Sequence, residues 1–178
     1  MEAPGSTTLV VVGEESATAI TALDGLANVE SATFLDATDA EIAKWSATSA
    51  APYVVHDRDP LGHVASAWVE FFDDRATLET LQLEISLTVR AAARHEISVP
   101  DYYVVLRPET MPTTWMHWWL GVLAQASPTR VIPWPDADVP IAELLRKLPT
   151  GRAWPDVERW LPRVVTSIPD RVGLPGAV

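Results

Sequence analysis

The chain contains no cysteine, which excludes a disulfide framework, a thiolate nucleophile and any cysteine-ligated zinc or iron–sulfur centre. Basic residues are scarce as well. Thirteen lysines and arginines stand against 24 aspartates and glutamates, a net charge of −11, and up to Pro60 the only basic residues are Lys44 and Arg58. That balance repels phosphate backbones and anionic lipid heads, so neither nucleic acid nor a membrane is an expected partner. No apolar run approaches the roughly 18 residues that span a bilayer. The opening Met1-Glu-Ala-Pro-Gly-Ser has no positive n-region, and a cytoplasmic location is the expectation.

Familiar catalytic signatures are missing too. Gly13-Glu14-Glu15-Ser16 lacks the glycine-rich loop of a phosphate cradle and sets two carboxylates where the anion would lie, which disfavours Rossmann cofactors and P-loop nucleotides. No serine stands in a G-x-S-x-G elbow. The four histidines, His56, His63, His95 and His117, are too scattered for metal-ligand spacing.

What the chain does have is the make-up of one folded domain. Hydrophobic residues form 48% of it, charged residues 21%, and its mean hydropathy is +0.09, well above the range of disordered chains. A length of 178 residues suits a single domain, expected over residues 1–172, with 173–178 as a loose tail. The apolar runs Thr8–Gly13, Ala32–Leu35, Tyr53–His56, Asp101–Leu106 and Arg130–Pro133 read as five short strands. Between them lie helical patterns. Leu61, Val64, Ala65, Trp68, Val69 and Phe72 fall on one face of a helix. Residues 78–93 carry two patterns at once: Leu81–Arg90 alternates as a strand does, whereas Leu78, Leu81, Ile85, Val89 and Ala92 make a helical stripe behind a Thr77 cap. The helix is the reading adopted, and Leu83 and Leu87 on its far side then predict cover by another layer or a second copy, hence a homodimer.

Strands alternating with amphipathic helices predict an α/β fold: a single three-layer domain around a five-stranded, mainly parallel sheet of flavodoxin-like or Rossmann-like order 2-1-3-4-5, with extra C-terminal helices. Ligands of such folds bind at the carboxyl ends of the strands. Those ends gather Glu14, Glu15 and Ser16, then Asp36, then His56, Asp57, Arg58 and Asp59, and finally Arg107, Glu109 and Asp136. Glu14, Asp57 and Asp59 are the candidate metal ligands, since carboxylates at one rim suit Mg²⁺; no other cofactor is indicated.

Six of the eight tryptophans lie between Trp115 and Trp160. Trp115, Trp118, Trp119 and Trp160 fall on helical faces and read as core. Trp134 and Trp154 each precede a proline, which favours extended loop backbone and partial exposure. Trp134 follows the last strand, and with Arg107 it forms a candidate site for a planar or acidic ligand. His117, opposite the tryptophan face of its helix, is the third candidate ligand-binding residue.

Gly13-Glu14-Glu15 after strand one and Asp57-Arg-Asp-Pro60-Leu-Gly62 after strand three resemble a response-regulator receiver domain over about the first third of the chain. The resemblance implies an acidic pair at Glu14 and Glu15 and a phospho-acceptor at Asp57, around magnesium. Strand four lacks the family's Ser or Thr, strand five lacks its lysine, and about twenty extra residues precede strand four. The function expected is a non-enzymatic binding or protein-interaction module. Two alternatives are a Mg²⁺-dependent enzyme acting on a small phosphorylated or acyl substrate at the strand ends, with Asp57 and Glu14 on the metal and Arg107 as anion clamp, and a degenerate receiver-like domain.

Overall fold

The computed structural model describes residues 5–135, 139–148 and 154–165. Five strands, β1 (Thr7–Val12), β2 (Val29–Ala32), β3 (Tyr53–His56), β4 (Tyr102–Leu106) and β5 (Val131–Trp134), form one sheet in which every neighbouring pair is parallel. This is the expected α/β class. Along the sheet the order is β2-β3-β1-β4-β5, so relative to 2-1-3-4-5 the two strands beside β2 exchange places. Both orders leave β2 and β5 at the edges and keep β1, β3 and β4 inside, so burial within each strand is the same in either.

Parallel neighbours require a crossover between strands, and the helices supply it on both faces. Alternation along β1 divides the core. Leu9 and Val11 face α1 (Ser16–Thr21) through Ile20 and α7 (Ile141–Leu145) through Ile141, Leu144 and Leu145. Val10 and Val12 face the larger cluster, built by α3 (Gly62–Phe72), α4 (Leu78–Ala93) and the tryptophan helix. Between β2 and β3, α2 (Asp39–Thr48) starts on a reciprocal cap: Thr38 Oγ1 accepts from the Glu41 N–H while the Glu41 carboxylate accepts from the Thr38 N–H. Among the described residues no helix is long and apolar enough to cross a membrane.

Residues 78–93 are helical throughout, with Leu81, Ile85 and Thr88 buried. Thr77 caps the helix by accepting from the Thr80 N–H, and tertiary burial of the helical stripe overrides the alternating pattern. Two expected boundaries shift. Strand β2 begins three residues early, at Val29, because the segment that pairs with Tyr53–His56 is Val29–Ala32; Phe34 instead packs edge-on against Trp45 and His56, and Leu35 is exposed. The first helix is short, ending at Thr21 in turns that pass through Gly25.

The tryptophan helix is the larger departure. It starts as α5 (Thr113–His117), widens into a π-helical segment over Trp118–Leu123, and closes as α6 (Ala124–Ala126). All six residues of the π segment are buried, including Gly121, which 3.6-residue spacing had placed on the outer side. The π turn departs from the 3.6-residue period on which that placement rests, and the segment is enclosed by the larger core cluster. At the far end, α8 (Val157–Trp160) gives way to a 3₁₀ turn over Leu161–Val165, with Pro162 at the change as expected. Trp68 on α3 donates its indole N–H to the Val164 carbonyl at 3.0 Å and ties this turn to the core. Asp136, the Gly151 loop, Ile168 and the tail 173–178 lie outside the described residues.

Gly13 marks where β1 ends. Its φ is +125°, and a Cβ there would stand 3.0 Å from both the Cβ and the carbonyl oxygen of Leu106 on β4. Neither contact can yield without moving the strand. Gly13→Ala is therefore expected to cost about 2 kcal/mol, measured as a lower urea midpoint with an unchanged m-value.

Candidate functional site

Strands β1 and β4 lie side by side, with Val12 opposite Val105, but the chain leaves them towards opposite faces of the sheet. After β1 it enters α1 against Leu9 and Val11; after β4 it crosses a short 3₁₀ turn (Pro108–Thr110) to the tryptophan helix on the other face. Such divergence opens a crevice at the carboxyl ends of the strands. Here it opens two, one on each side of the Gly13 turn, each of about 230 Å³.

The first crevice lies between α1 and α7 and is lined by Glu15, Ala19, Leu106, Arg107, Trp134 and Ile141, among others. Register explains why Arg107 and Trp134 meet: Leu106 pairs with Trp134 across β4 and β5, and the Arg107 N–H donates to the Trp134 carbonyl at 2.9 Å. Trp134 donates its indole N–H to the Val139 carbonyl at 2.9 Å, which fixes the ring in the crevice wall. Arg107 has left-handed backbone, φ 39° and ψ 57°, a region that costs a non-glycine residue about 1–2 kcal/mol. Hydrogen bonds hold it there, since the Arg107 carbonyl accepts from both the N–H and the hydroxyl of Thr110 at 2.9 Å. The strained residue thus projects a guanidinium, one-third exposed, into the crevice, where it pairs with the Glu15 carboxylate.

Across the Gly13 turn, the second crevice is lined by Val12, Glu14, Met111, Trp115 and Trp119. Consecutive acidic residues are therefore parted: Glu14 lines one crevice and Glu15 the other. Trp115 lies nearly parallel to Trp119, ring centroids 6.4 Å apart.

Asp57 and Asp59 are engaged at other positions. The Asp57 carboxylate accepts from the Phe34 N–H at 2.9 Å and so anchors the residues after β2. Asp59 turns its carboxyl inward at the start of α3, where Oδ1 accepts from the Leu61 N–H at 2.9 Å and from the Tyr103 hydroxyl at 2.7 Å. Its Oδ2 is buried without a hydrogen-bond partner. Burial pushes the Asp59 carboxyl up to about 6, against the pull of its two donors. Desolvation, with Asp59 beside it, raises the Tyr103 phenol well above its usual value. Nearby in sequence, His56 is buried between the rings of Phe34 and Trp45, and desolvation pushes its imidazole down to about 4, although the Asp57 carboxylate favours the charged form.

Among the described residues, no group of three or more histidine, aspartate or glutamate side chains is placed to hold a metal ion. The structure thus brings together Arg107 and Trp134 and adds Glu15 to them; Glu14, Asp57 and Asp59 occupy three different settings. His117 is half-buried at the end of α5 and contributes to neither crevice. Trp154, expected to be partly exposed in a loop, is half-buried there, with its ring against Tyr103 and Trp160 at the edge of the larger core cluster.

The buried Asp59–Tyr103 pair was not foreseen. The usable signal is the tyrosine pair that opens a strand otherwise built of valine and leucine, since a hydroxyl needs a partner once the strand is buried. Comparison with protein-family models, with curated proteins and with solved structures finds no match to this chain.

Proposed function

We propose that the protein is a binding domain without catalytic chemistry of its own, and that its ligand is a small planar organic anion bound in the crevice between α1 and α7. The observation that carries this reading is the convergence of Arg107 and Trp134, from adjacent strand ends, on one mainly apolar crevice of about 230 Å³. A guanidinium offers paired donors to a carboxylate or phosphate, and an indole offers a flat apolar face to a ring. The crevice is smaller than the roughly 300 Å³ where drug-sized sites begin, which suits one or two fused rings. The strain held at Arg107 supports the same reading, because left-handed backbone at a bulky residue is commonest where a side chain must be aimed.

Glu15 sets the terms of binding. Its carboxylate holds the position on Arg107 that a ligand anion takes, so the ligand exchanges one partner for another and the guanidinium is never left unpaired. Two consequences are measurable with indole-3-acetate and benzoate as probes, by calorimetry and by tryptophan fluorescence. The unmodified protein is expected to bind indole-3-acetate with a dissociation constant of about 100 µM. Arg107→Ala should weaken it at least about tenfold, and Glu15→Gln should tighten it several-fold by removing the competing carboxylate. With eight tryptophans in the chain, Trp134→Phe identifies which of them reports the ligand. Equal affinity in the Arg107→Ala variant, or no binding of either probe, overturns the proposal.

A further inference from the structure

On α4 the side turned away from the core carries its own pattern. Glu79, Leu83, Leu87, Arg90 and Arg94 fall within an arc of about 80° at 3.6 residues per turn, opposite the buried Leu81, Ile85 and Thr88. Leu83 is 55% exposed and Leu87 44%, an adjacent leucine pair one helical turn apart that no other described element covers. An acidic residue stands before the pair and two basic residues follow it. Read in reverse, that order presents a base, two leucines and an acid, so the stripe is complementary to a second copy of itself running the opposite way.

We infer that α4 is the self-association surface of this protein, two copies packing their α4 helices antiparallel about a two-fold axis that passes between Leu83 and Leu87. In that register Leu83 of each copy meets Leu87 of the other, and Glu79 comes alongside Arg90 of the other, the two contacts repeating by symmetry as an isologous interface must. A parallel arrangement instead sets acid beside acid and base beside base. Within its own chain, Arg94 makes a long, exposed contact with Glu96, at 3.8 Å, and lies at the rim. A single helix pair buries little area, so the dimer is weak, with a dissociation constant on the order of 10–100 µM.

Sedimentation of the full chain across that concentration range tests the inference. The unmodified protein is expected to pass reversibly from its 19.5 kDa monomer to a dimer. Leu83→Glu with Leu87→Glu should leave only monomer, with circular dichroism confirming that the exposed substitutions leave the fold intact. Glu79→Arg alone and Arg90→Glu alone should each weaken association at least tenfold, yet an equimolar mixture of the two single variants should recover it, since each acid again faces a base. Salt should weaken the unmodified dimer. A monomer throughout the range overturns the proposal, as does a dimer indifferent to the leucine substitutions or a mixture that associates no better than its components.

Discussion

Trp118→Ala is expected to destabilise the protein by about 4 kcal/mol, the middle of the range for a buried aromatic truncated to alanine, and to lower its melting temperature by roughly 8–16 °C. Trp118 is fully buried at the start of the π-helical segment, its ring 5.7 Å from that of Trp68, which in turn packs on Phe72. Removing it opens a cavity between the tryptophan helix and α3 that neither can collapse into, because α3 is pinned to the far turn by the Trp68–Val164 hydrogen bond. The replacement by phenylalanine should behave differently. The Trp118 indole N–H is buried without an acceptor, and deleting an unsatisfied donor returns about 1–3 kcal/mol. Trp118→Phe is therefore expected to cost less than about 1.5 kcal/mol, far less than the alanine variant. Equal losses for the two in urea titrations would show that ring volume is not what the site needs.

That core illustrates which features pattern alone makes legible. Four of the strands carry an apolar run ended by glycine, proline or charge, whereas β2, Val-Glu-Ser-Ala, does not; the stripe of Val64, Ala65, Trp68 and Val69 in α3 fits a helix and no strand, so class and layer arrangement follow from local sequence while the β2 boundary does not. Strand order does not, because moving β3 across β1 changes no residue's burial and only the pairing partners of whole strands. The π segment was equally hidden, since six consecutive buried residues leave no polar face for amphipathic analysis to follow. Arg107 and Trp134 were legible as neighbours because each directly ends one of two adjacent strands. Glu15 was visible only as one of several strand-end acids; its choice of Arg107 over solvent depends on the angle at which α1 leaves the sheet. The settings of Asp57 and Asp59, two residues apart, depend on which carboxyl the turn into α3 points inward, and the spacing D-x-D does not encode that.

The inward carboxyl has the second large consequence, through pH. Asp59 has a folded pKa of about 6 against an ordinary value of 3.8, so folding holds its proton: the stabilisation is complete below about pH 4 and is lost as pH rises through 6. That difference corresponds to about 3 kcal/mol. His56 runs the other way. Its folded pKa of about 4 against 6.5 means that stability is present above about pH 6.5 and is lost as pH falls towards 4, again by about 3 kcal/mol. Between pH 4 and 6 the two slopes oppose one another and largely cancel. Asp59→Asn removes one of them. The amide keeps an oxygen for the Leu61 N–H and the Tyr103 hydroxyl and carries no charge to bury, although its N–H₂ inherits the place where Oδ2 lacks a partner. At pH 7.5 the variant is expected to be more stable than the unmodified protein by about 1–2 kcal/mol, the relief of the buried charge less the cost of an unsatisfied amide. Below pH 6 the advantage should vanish, because His56 then titrates without compensation and the variant loses about 1 kcal/mol per pH unit relative to the unmodified chain. Urea titrations of both proteins at pH 4.5, 6 and 7.5 measure the difference directly, the remaining carboxylates being common to both. A variant that is less stable at pH 7.5, or that shares the unmodified protein's pH slope, would mean that Asp59 does not titrate as a buried acid.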